Sequence, residues 1–592
     1  MEHPRPAAPA AKILSPRRKT TSARSLAELA REQLAHFHID PAAPAGAPLL
    51  RLAEKLYGAH GDLIELWEAT VRELPRLART DRVALFNAKK FLSFQLAKLL
   101  DLLQNPTRAL HQGLGHSTAT SLAKGPYPTF DNVAAIFSAN PVITRTATYI
   151  FACTEWIDDA FQGREFLHEI YSRLLNPTSI SLANHIVDIE AGAMSGDYMA
   201  WNFNSGMAAI DGILSHLVGY EDVVLASRNV YGGTYQLLHD WFAKKANLNV
   251  GVEFFDGAEA ADFERSLGAA QRKYAARLAA GREVYVFIES PCNPHGVFLD
   301  VPAMCRSAHA AGLTVMLDST VGTPFLVRPL QREDARERPD YVIHSYTKDL
   351  VGTGDTTAGV VIGRNADMFM PKGDPGWDST LFWNVYYVKG AFLDADKAFE
   401  VLSGMKTLEM RVLKKCINTL ILARWLAAHP LVSVSGPASP RDPNREVCDR
   451  ISYLGLPAPL FTIHLEEAGL DRMAFERFLD SLSPMFGHMV SLGQSNTMIL
   501  CPALTSHSEL GPEALRASGI SPTTIRISVG DEEPRELIAG FLATARLALD
   551  PAKPGFSEQF PQGDAVDRLC DEVYMDVHRR HAAARPRFAA CL

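Results

Sequence analysis

The sequence predicts an α/β protein: a large domain built on a mostly parallel sheet, a smaller α+β domain C-terminal to it, and a helical extension in front. Three observations carry this. Between about residues 190 and 365, short apolar runs (222–226, 284–289, 314–318, 341–345 and 358–363) alternate with helix-length segments, the pattern of strands buried on both faces under crossover helices. From about 386 to 549, helical segments mix with a few strand-like runs, at 460–465 and 524–529. From Leu49 to about Leu114 the apolar spacing is helical throughout, with Leu63, Leu66, Trp67 and Val71 on one face and Phe91, Phe94 and the leucines of 96–103 continuing it.

Residues 1–24 are rich in Ala, Pro, Ser, Arg and Lys, with Glu2 as their single acid. They read as a disordered tail rather than an organelle transit peptide. The stretch 25–37 has helical spacing, and 39–48 is a Pro/Ala-rich linker. The expected organisation is therefore a tail and linker over 1–47, a helical extension over 48–125, a connecting segment over 126–190, the large domain over 191–385, the small domain over 386–549 and an appendage over 550–592, helical at 565–583.

With 592 residues, 47% hydrophobic and 21% charged, the chain can bury several cores. Its formal charge of −8 and the lack of a long basic stripe give nucleic-acid binding little electrostatic support. No run approaches the roughly 20 apolar residues that cross a bilayer, so no membrane partner is expected. The eight cysteines are scattered without a C-x-x-C pair, which argues for reduced thiols, a cytoplasmic setting and no metal site. A small polar metabolite is the easier partner.

In sheets of this kind ligands collect at the carboxyl ends of strands. Glu289, Asp318 and Ser345 to Lys348 end predicted strands. A lysine there, beside the hydroxyls of Ser345 and Thr347, can capture a carbonyl while the hydroxyls hold a phosphate. Taken alone, a solvated loop lysine is the ordinary reading, and a lone Asp318 is ordinarily a cap or turn residue. Asn204-Ser205-Gly206-Met207 opens an apolar helix whose free N–H groups suit a phosphate. Tyr231-Gly232-Gly233-Thr234 sets an aromatic ring beside a flexible turn. Gly352-x-Gly354 follows the lysine loop rather than opening a helix after a strand, so it is no dinucleotide fingerprint. His578 and His581 flank two arginines on a solvated helix face, and His36-x-His38 is equally bland.

Seven blocks in order, YSRLLNPT (171–178), NSGMAAI (204–210), VYGGT (230–234), ESPCNP (289–294), LDSTVGTPFLVRPL (317–330), HSYTKDLVGTGD (344–355) and IRISVGDEE (525–533), resemble the Cys/Met-metabolism enzymes that depend on pyridoxal 5'-phosphate (PLP). That family includes cystathionine γ-synthase, cystathionine γ-lyase, methionine γ-lyase and the O-acylhomoserine sulfhydrylases. The resemblance runs from about Val142 to Leu549. It implies the type I fold of PLP-dependent transferases, aspartate-aminotransferase-like, with 126–190 as the family's N-terminal arm and 191–385 as the PLP domain. It also implies transsulfuration chemistry on an amino-acid substrate, replacement or elimination at the γ-carbon of homoserine esters, cystathionine or related sulfur amino acids, with a β-lyase as rival and a non-catalytic scaffold as remote alternative.

By the same resemblance, Lys348 would hold PLP and shuttle protons, Asp318 would pair with the ring nitrogen, and Tyr231 would stack on the ring and assist as acid or base. Asn293 would approach the ring hydroxyl, while Gly206, Met207, Ser345 and Thr347 would hold the phosphate. Tyr171 and Arg173 would reach into a neighbouring subunit's site, which implies a homo-oligomer, a dimer within a tetramer. Arg526 and Ser491 would take the substrate carboxylate, with Val490 beside them as a specificity position. The markers disagree there: Val490 is like methionine γ-lyases rather than cystathionine γ-lyases, yet Gly233 stands where methionine γ-lyases carry a cysteine. The extension and the C-terminal appendage are not normal for compact members of the family.

Overall fold

In the computed structural model the described residues are 25–36, 39–104, 115, 117–124, 138–149, 154–162, 170–505 and 512–585. The tail over 1–24, residue 37 of the first expected helix, and residues 126–137 and 163–169 of the expected arm lie outside them. The chain divides into two units: Met1–Val142 with Phe151–Thr154, and Ile143–Ile150 with Glu155–Leu592.

The first unit holds helices α1 (Leu26–His36), α2 (Gly46–Glu73) and α3 (Arg79–Gln104). Helix α2 begins inside the segment read as linker. A Cβ at residue 46 would sit 1.9 Å from the Asp40 carbonyl oxygen, so the sharp entry demands Gly46. The helical run expected from Leu49 onward is interrupted after Glu73, where Pro75 cannot continue an i→i−4 ladder. Leu63, Val71, Phe86 and Phe91 are each about half exposed or more.

The second unit is organised by a seven-stranded sheet of β1 (Tyr198–Phe203), β2 (Val223–Ser227), β3 (Gly251–Phe255), β4 (Val284–Glu289), β5 (Thr314–Asp318), β6 (Tyr341–Ser345) and β7 (Gly359–Arg364), in the order β1-β7-β6-β5-β4-β2-β3. All ladders are parallel except those that β7 makes with β1 and β6. The fully apolar runs fold as expected to within a residue. Strands β1 and β3 carry no such signal: they are the two edges of the sheet, and their sequences, YMAWNF and GVEFF, mix polar residues into the run.

Both faces are covered. Helix α4 (Pro177–Ala191) starts at Asn176, whose side chain accepts from the N–H groups of Thr178 and Ser179. Helix α5 (Gly206–Leu217) packs Ile210 and Ile213 against Val224, Phe287, Ile343 and Val361. On the other face Val223, Val286 and Leu317 meet Phe263 and Met304. Each such fully buried side chain contributes about 1.5–3 kcal/mol.

A second sheet, β8 (Ser433–Ser435), β9 (Leu460–His464), β10 (Gly487–His488), β11 (Met498–Leu500) and β12 (Thr524–Ser528), has the order β10-β11-β12-β9-β8. Helices α6 (Leu408–Ala427), α7 (Pro534–Ala548) and α8 (Asp564–Ala584) share one core with it. The segment read as an appendage is part of that core: Val566, Cys570, Val573 and Val577 of α8 are buried, and Phe560 stacks on Trp425 with ring centroids 4.4 Å apart.

Candidate active site

Parallel pairing brings the carboxyl ends of β4, β5 and β6 into line, and each ends on a polar residue. Glu289 pairs in register with Asp318. Asp318 turns the chain through an Asx turn: its Oδ1 accepts from the Thr320 N–H at 3.0 Å and the Thr320 hydroxyl at 2.6 Å. Thr320 Oγ1 in turn accepts from the Ser345 N–H at 2.8 Å, tying the end of β5 to the end of β6. The hydrogen bonds to the Asp318 carboxylate among the described residues use Oδ1, which leaves Oδ2 for a ligand. Burial raises the Asp318 carboxyl above the usual carboxylate range, and the Thr320 donors pull it back; a cationic ring N–H is the group that would stabilise its charged form.

Lys348 lies one turn beyond β6 and its Nζ donates to Ser491 Oγ at 3.1 Å. Burial, and then the Arg526 guanidinium, pull this amine down to about 8. A neutral fraction is therefore present near neutral pH, which a nucleophile toward a carbonyl requires. The next residue faces the opposite way. Asp349, buried, accepts from Lys415 of α6 at 2.8 Å, and both side chains are inaccessible to solvent.

The N-terminus of α5 abuts the lysine loop. A Cβ at Gly206 would sit 2.7 Å from Ser345 Cβ, and one at Gly359 would sit 2.3 Å from the Ser205 carbonyl oxygen. Ser205 caps the helix through the Ala208 N–H at 3.1 Å. The first-turn N–H groups of Gly206 and Met207 have no intrahelical partner, and beside Ser345 they form a cradle for an anion. Thr347 Oγ1 is held by the Ala358 N–H at 3.0 Å. A Gly206→Ala protein is expected to bind a phosphorylated ligand at least about tenfold more weakly, since the added methyl meets Ser345 below contact distance; cofactor titration of the apoprotein checks this.

Tyr231 enters at the end of the loop after β2. Its ring leans over Gly233, where a Cβ would lie 2.7 Å from Tyr231 Cε1 and 3.0 Å from Met207 Sδ. Tyr231 and Asn293 are joined by Glu289, whose carboxylate accepts from both backbone N–H groups. Asn293 Oδ1 accepts from Arg526 Nη1 at 3.0 Å, and Arg526 Nη2 donates to the Ser491 carbonyl. Arg526 is 2% exposed, yet its Nε has no hydrogen-bond partner, and its guanidinium meets no carboxylate among the described residues. Burial lowers it to about 10. A buried, uncompensated cation with an idle N–H is chemically suited to an anion such as a carboxylate. Val490, next to Ser491, is 73% exposed.

Lys348, Asp318, Ser345, Gly206, Met207, Tyr231, Asn293, Arg526 and Ser491 thus form one connected group. Tyr171 and Arg173 stand outside it in the single chain. Arg173 Nη1 donates to the Tyr387 carbonyl at 2.7 Å and stacks near the Tyr171 ring, and Tyr171 is 41% exposed. Thr320 and the Asp349–Lys415 pair carry no role in the sequence reading. The Asp-Ser-Thr spacing could have disclosed Thr320, because an Asx turn needs its donor two residues on; nothing local points to Lys415.

The residues fit PLP: an aldehyde can meet the depressed amine, a pyridinium the open oxygen of Asp318, a phosphate the α5 cradle. The sequence profile of the family described as "Cys/Met metabolism PLP-dependent enzyme" matches residues 130–545. The chain belongs to that family. Its relatives include an L-methionine gamma-lyase of Pseudomonas deceptionensis, 30% identical over 73% of this chain and 95% of the relative, and an O-acetyl-L-homoserine sulfhydrylase of Leptospira meyeri, 27% identical over 67% of this chain and 89% of the relative. The crystal structure of cystathionine gamma synthase from Xanthomonas oryzae pv. oryzae, in complex with cystathionine, covers 69% of this chain and 94% of that one, with 26% identity and a TM-score of 0.57. Family membership makes the protein a PLP-dependent enzyme of the α/β type I class. Among the described residues no helix is long and apolar enough to cross a membrane.

Proposed function

We propose that this enzyme acts on α-amino acids that carry a leaving group on the γ-carbon, as in homoserine esters, and replaces it with a thiol, with γ-elimination as the outcome when no thiol is present. The observation that carries the reading is the buried guanidinium of Arg526, linked through Ser491 to the amine of Lys348. It supports a substrate carboxylate held within reach of a base. PLP, once bound, supplies an electron sink for the substrate's α-carbon. Arg526 then orients the carboxylate, and Lys348 Nζ takes and returns protons at the α- and β-carbons. Tyr231 covers one face of the site, Asp318 would pair with the ring nitrogen, and Gly206, Met207, Ser345 and Thr347 would hold the phosphate.

Val490 supports an uncharged γ-substituent over the distal ammonium of cystathionine, because an exposed apolar side chain there offers no counter-charge. The same residue favours a second reading, γ-elimination from methionine. Tyr171 and Arg173 are assigned to the site of a neighbouring subunit, which makes a homodimer the smallest active unit, and residues 191–385 to the cofactor domain.

The test is product identification by mass spectrometry after incubation of the PLP-loaded protein with an O-acyl homoserine plus cysteine, and separately with methionine and with cystathionine. A thioether from the first mixture supports replacement; 2-oxobutanoate from methionine with no thioether in the first replaces it by elimination. Cofactor capture also has an expected pH dependence. Only the neutral Lys348 amine attacks an aldehyde, so the loading rate of apoprotein should rise about tenfold per pH unit below pH 8 and level off above it. Stopped-flow absorbance measures it.

A further inference from the structure

Glu289 ends β4 and is 4% exposed. Its Oε2 accepts from the Tyr231 N–H at 2.5 Å and its Oε1 from the Asn293 N–H at 3.1 Å. Among the described residues no cation pairs with it, and the carboxylate of Asp318 is its neighbour in register. Burial first, and Asp318 second, push the Glu289 carboxyl well above its ordinary range, while the two N–H groups pull it back. Keeping an acid in so unfavourable a place needs a reason. A carboxylate is the side chain that offers an acceptor on each of two arms, and the donors it gathers come from segments separated by about sixty residues. These donors belong to two different loops of the site. Tyr231 carries the ring beside Gly233 and Met207, and Asn293 carries the amide oxygen that accepts from Arg526.

We infer that Glu289 is a positioning residue: it sets the tilt of the Tyr231 ring against the cofactor and, through Asn293, the orientation of Arg526 toward the substrate carboxylate. The inference rests on the PLP reading and the substrate class proposed above. Glutamine is isosteric but has one acceptor and one donor, so its amide must oppose either the Tyr231 or the Asn293 N–H and release it.

The test is Glu289→Gln, alone and combined with Tyr231→Ala, in PLP-loaded full-length protein. In E289Q the cofactor remains attached to Lys348, shown by borohydride reduction and peptide mass, while the visible circular dichroism of the bound cofactor weakens because the ring beside it has moved. The value of kcat falls on the order of 10²-fold, and KM for the amino acid rises about tenfold. In the Y231A background the kcat effect of E289Q shrinks to within about threefold, because the ring it placed is gone, whereas the KM effect persists through Asn293. Wild-type kcat and dichroism in E289Q, or an equal kcat loss in both backgrounds, overturns the inference. If E289Q does not fold, Glu289→Asp, which withdraws the carboxylate by one methylene, takes its place in the same comparison and is expected to behave alike. A wild-type protein that takes up no PLP at Lys348 sinks the underlying reading instead, and one that binds PLP but turns over no γ-substituted amino acid sinks the substrate class.

Discussion

Lys348→Ala is expected to lose at least about 10⁴-fold in kcat and the visible absorbance of the attached cofactor, with a melting temperature close to that of the wild-type apoprotein. The loss combines the covalent attachment point with the proton shuttle, and a positioned acid or base alone is worth about 10²–10⁴-fold. Stability changes little because Nζ makes a single described hydrogen bond, to Ser491, worth about 1 kcal/mol net. Removing the amine also removes its repulsion with the Arg526 guanidinium, which is one of the forces that lowers Lys348. Absorbance titration with PLP, steady-state assay and thermal melting together check the result. Retained turnover in this variant would mean that Lys348 is not the reacting amine.

Arg526→Leu has the second largest expected effect, and it falls on kcat/KM. Truncating one partner of a buried, hydrogen-bonded charge pair costs about 2–5 kcal/mol, a loss of about 30- to 4,000-fold at 1.4 kcal/mol per decade. Arg526→Lys should recover only part of it, since an ammonium keeps the charge but cannot reach Asn293, Ser491 and a carboxylate together as a planar fork does. Cofactor absorbance should survive both substitutions, because no atom of Arg526 touches Lys348, Asp318 or the α5 cradle in the described hydrogen bonds. A variant that loses PLP along with activity would instead place Arg526 in the cofactor's support.

Much of this is legible in the sequence. Strands β4, β5 and β6 are mostly apolar runs ending in Glu289, Asp318 and Ser345, and buried parallel strands leave that trace because both of their faces are dry. Edge strands β1 and β3 left none, because polar residues interrupt both runs: Asn202 of β1 is buried with its amide donating to the Ser179 carbonyl, and Glu253 of β3 accepts from the Tyr274 hydroxyl. The helix at 565–583 was legible from its spacing, but its partner was not: Val566, Cys570, Val573 and Val577 name an apolar stripe, and only the fold shows that α6 and α7 fill it. The same limit applies within the site. Each motif residue could be recognised where it stands, whereas the Glu289 link between Tyr231 and Asn293 joins segments with no local signature. In the first unit, the sequence places Gly46 in a linker, because its necessity lies in a clash with Asp40 that spacing does not reveal.

Two lysines approach the cofactor loop from different sides, and the chain makes only one of them available to an aldehyde. Lys415 is sealed away from solvent with its amine held on Asp349, while the amine of Lys348, one residue along the chain from that acid, rests on the weak acceptor of a serine hydroxyl. With Lys348 as the proposed attachment point, the selectivity would lie in how the neighbouring carboxylate is aimed. By drawing Asp349 onto Lys415, the fold occupies that amine and leaves Lys348 in no ion pair among the described residues, so that Asp349 raises its affinity for a proton only from a distance while burial and Arg526 lower it.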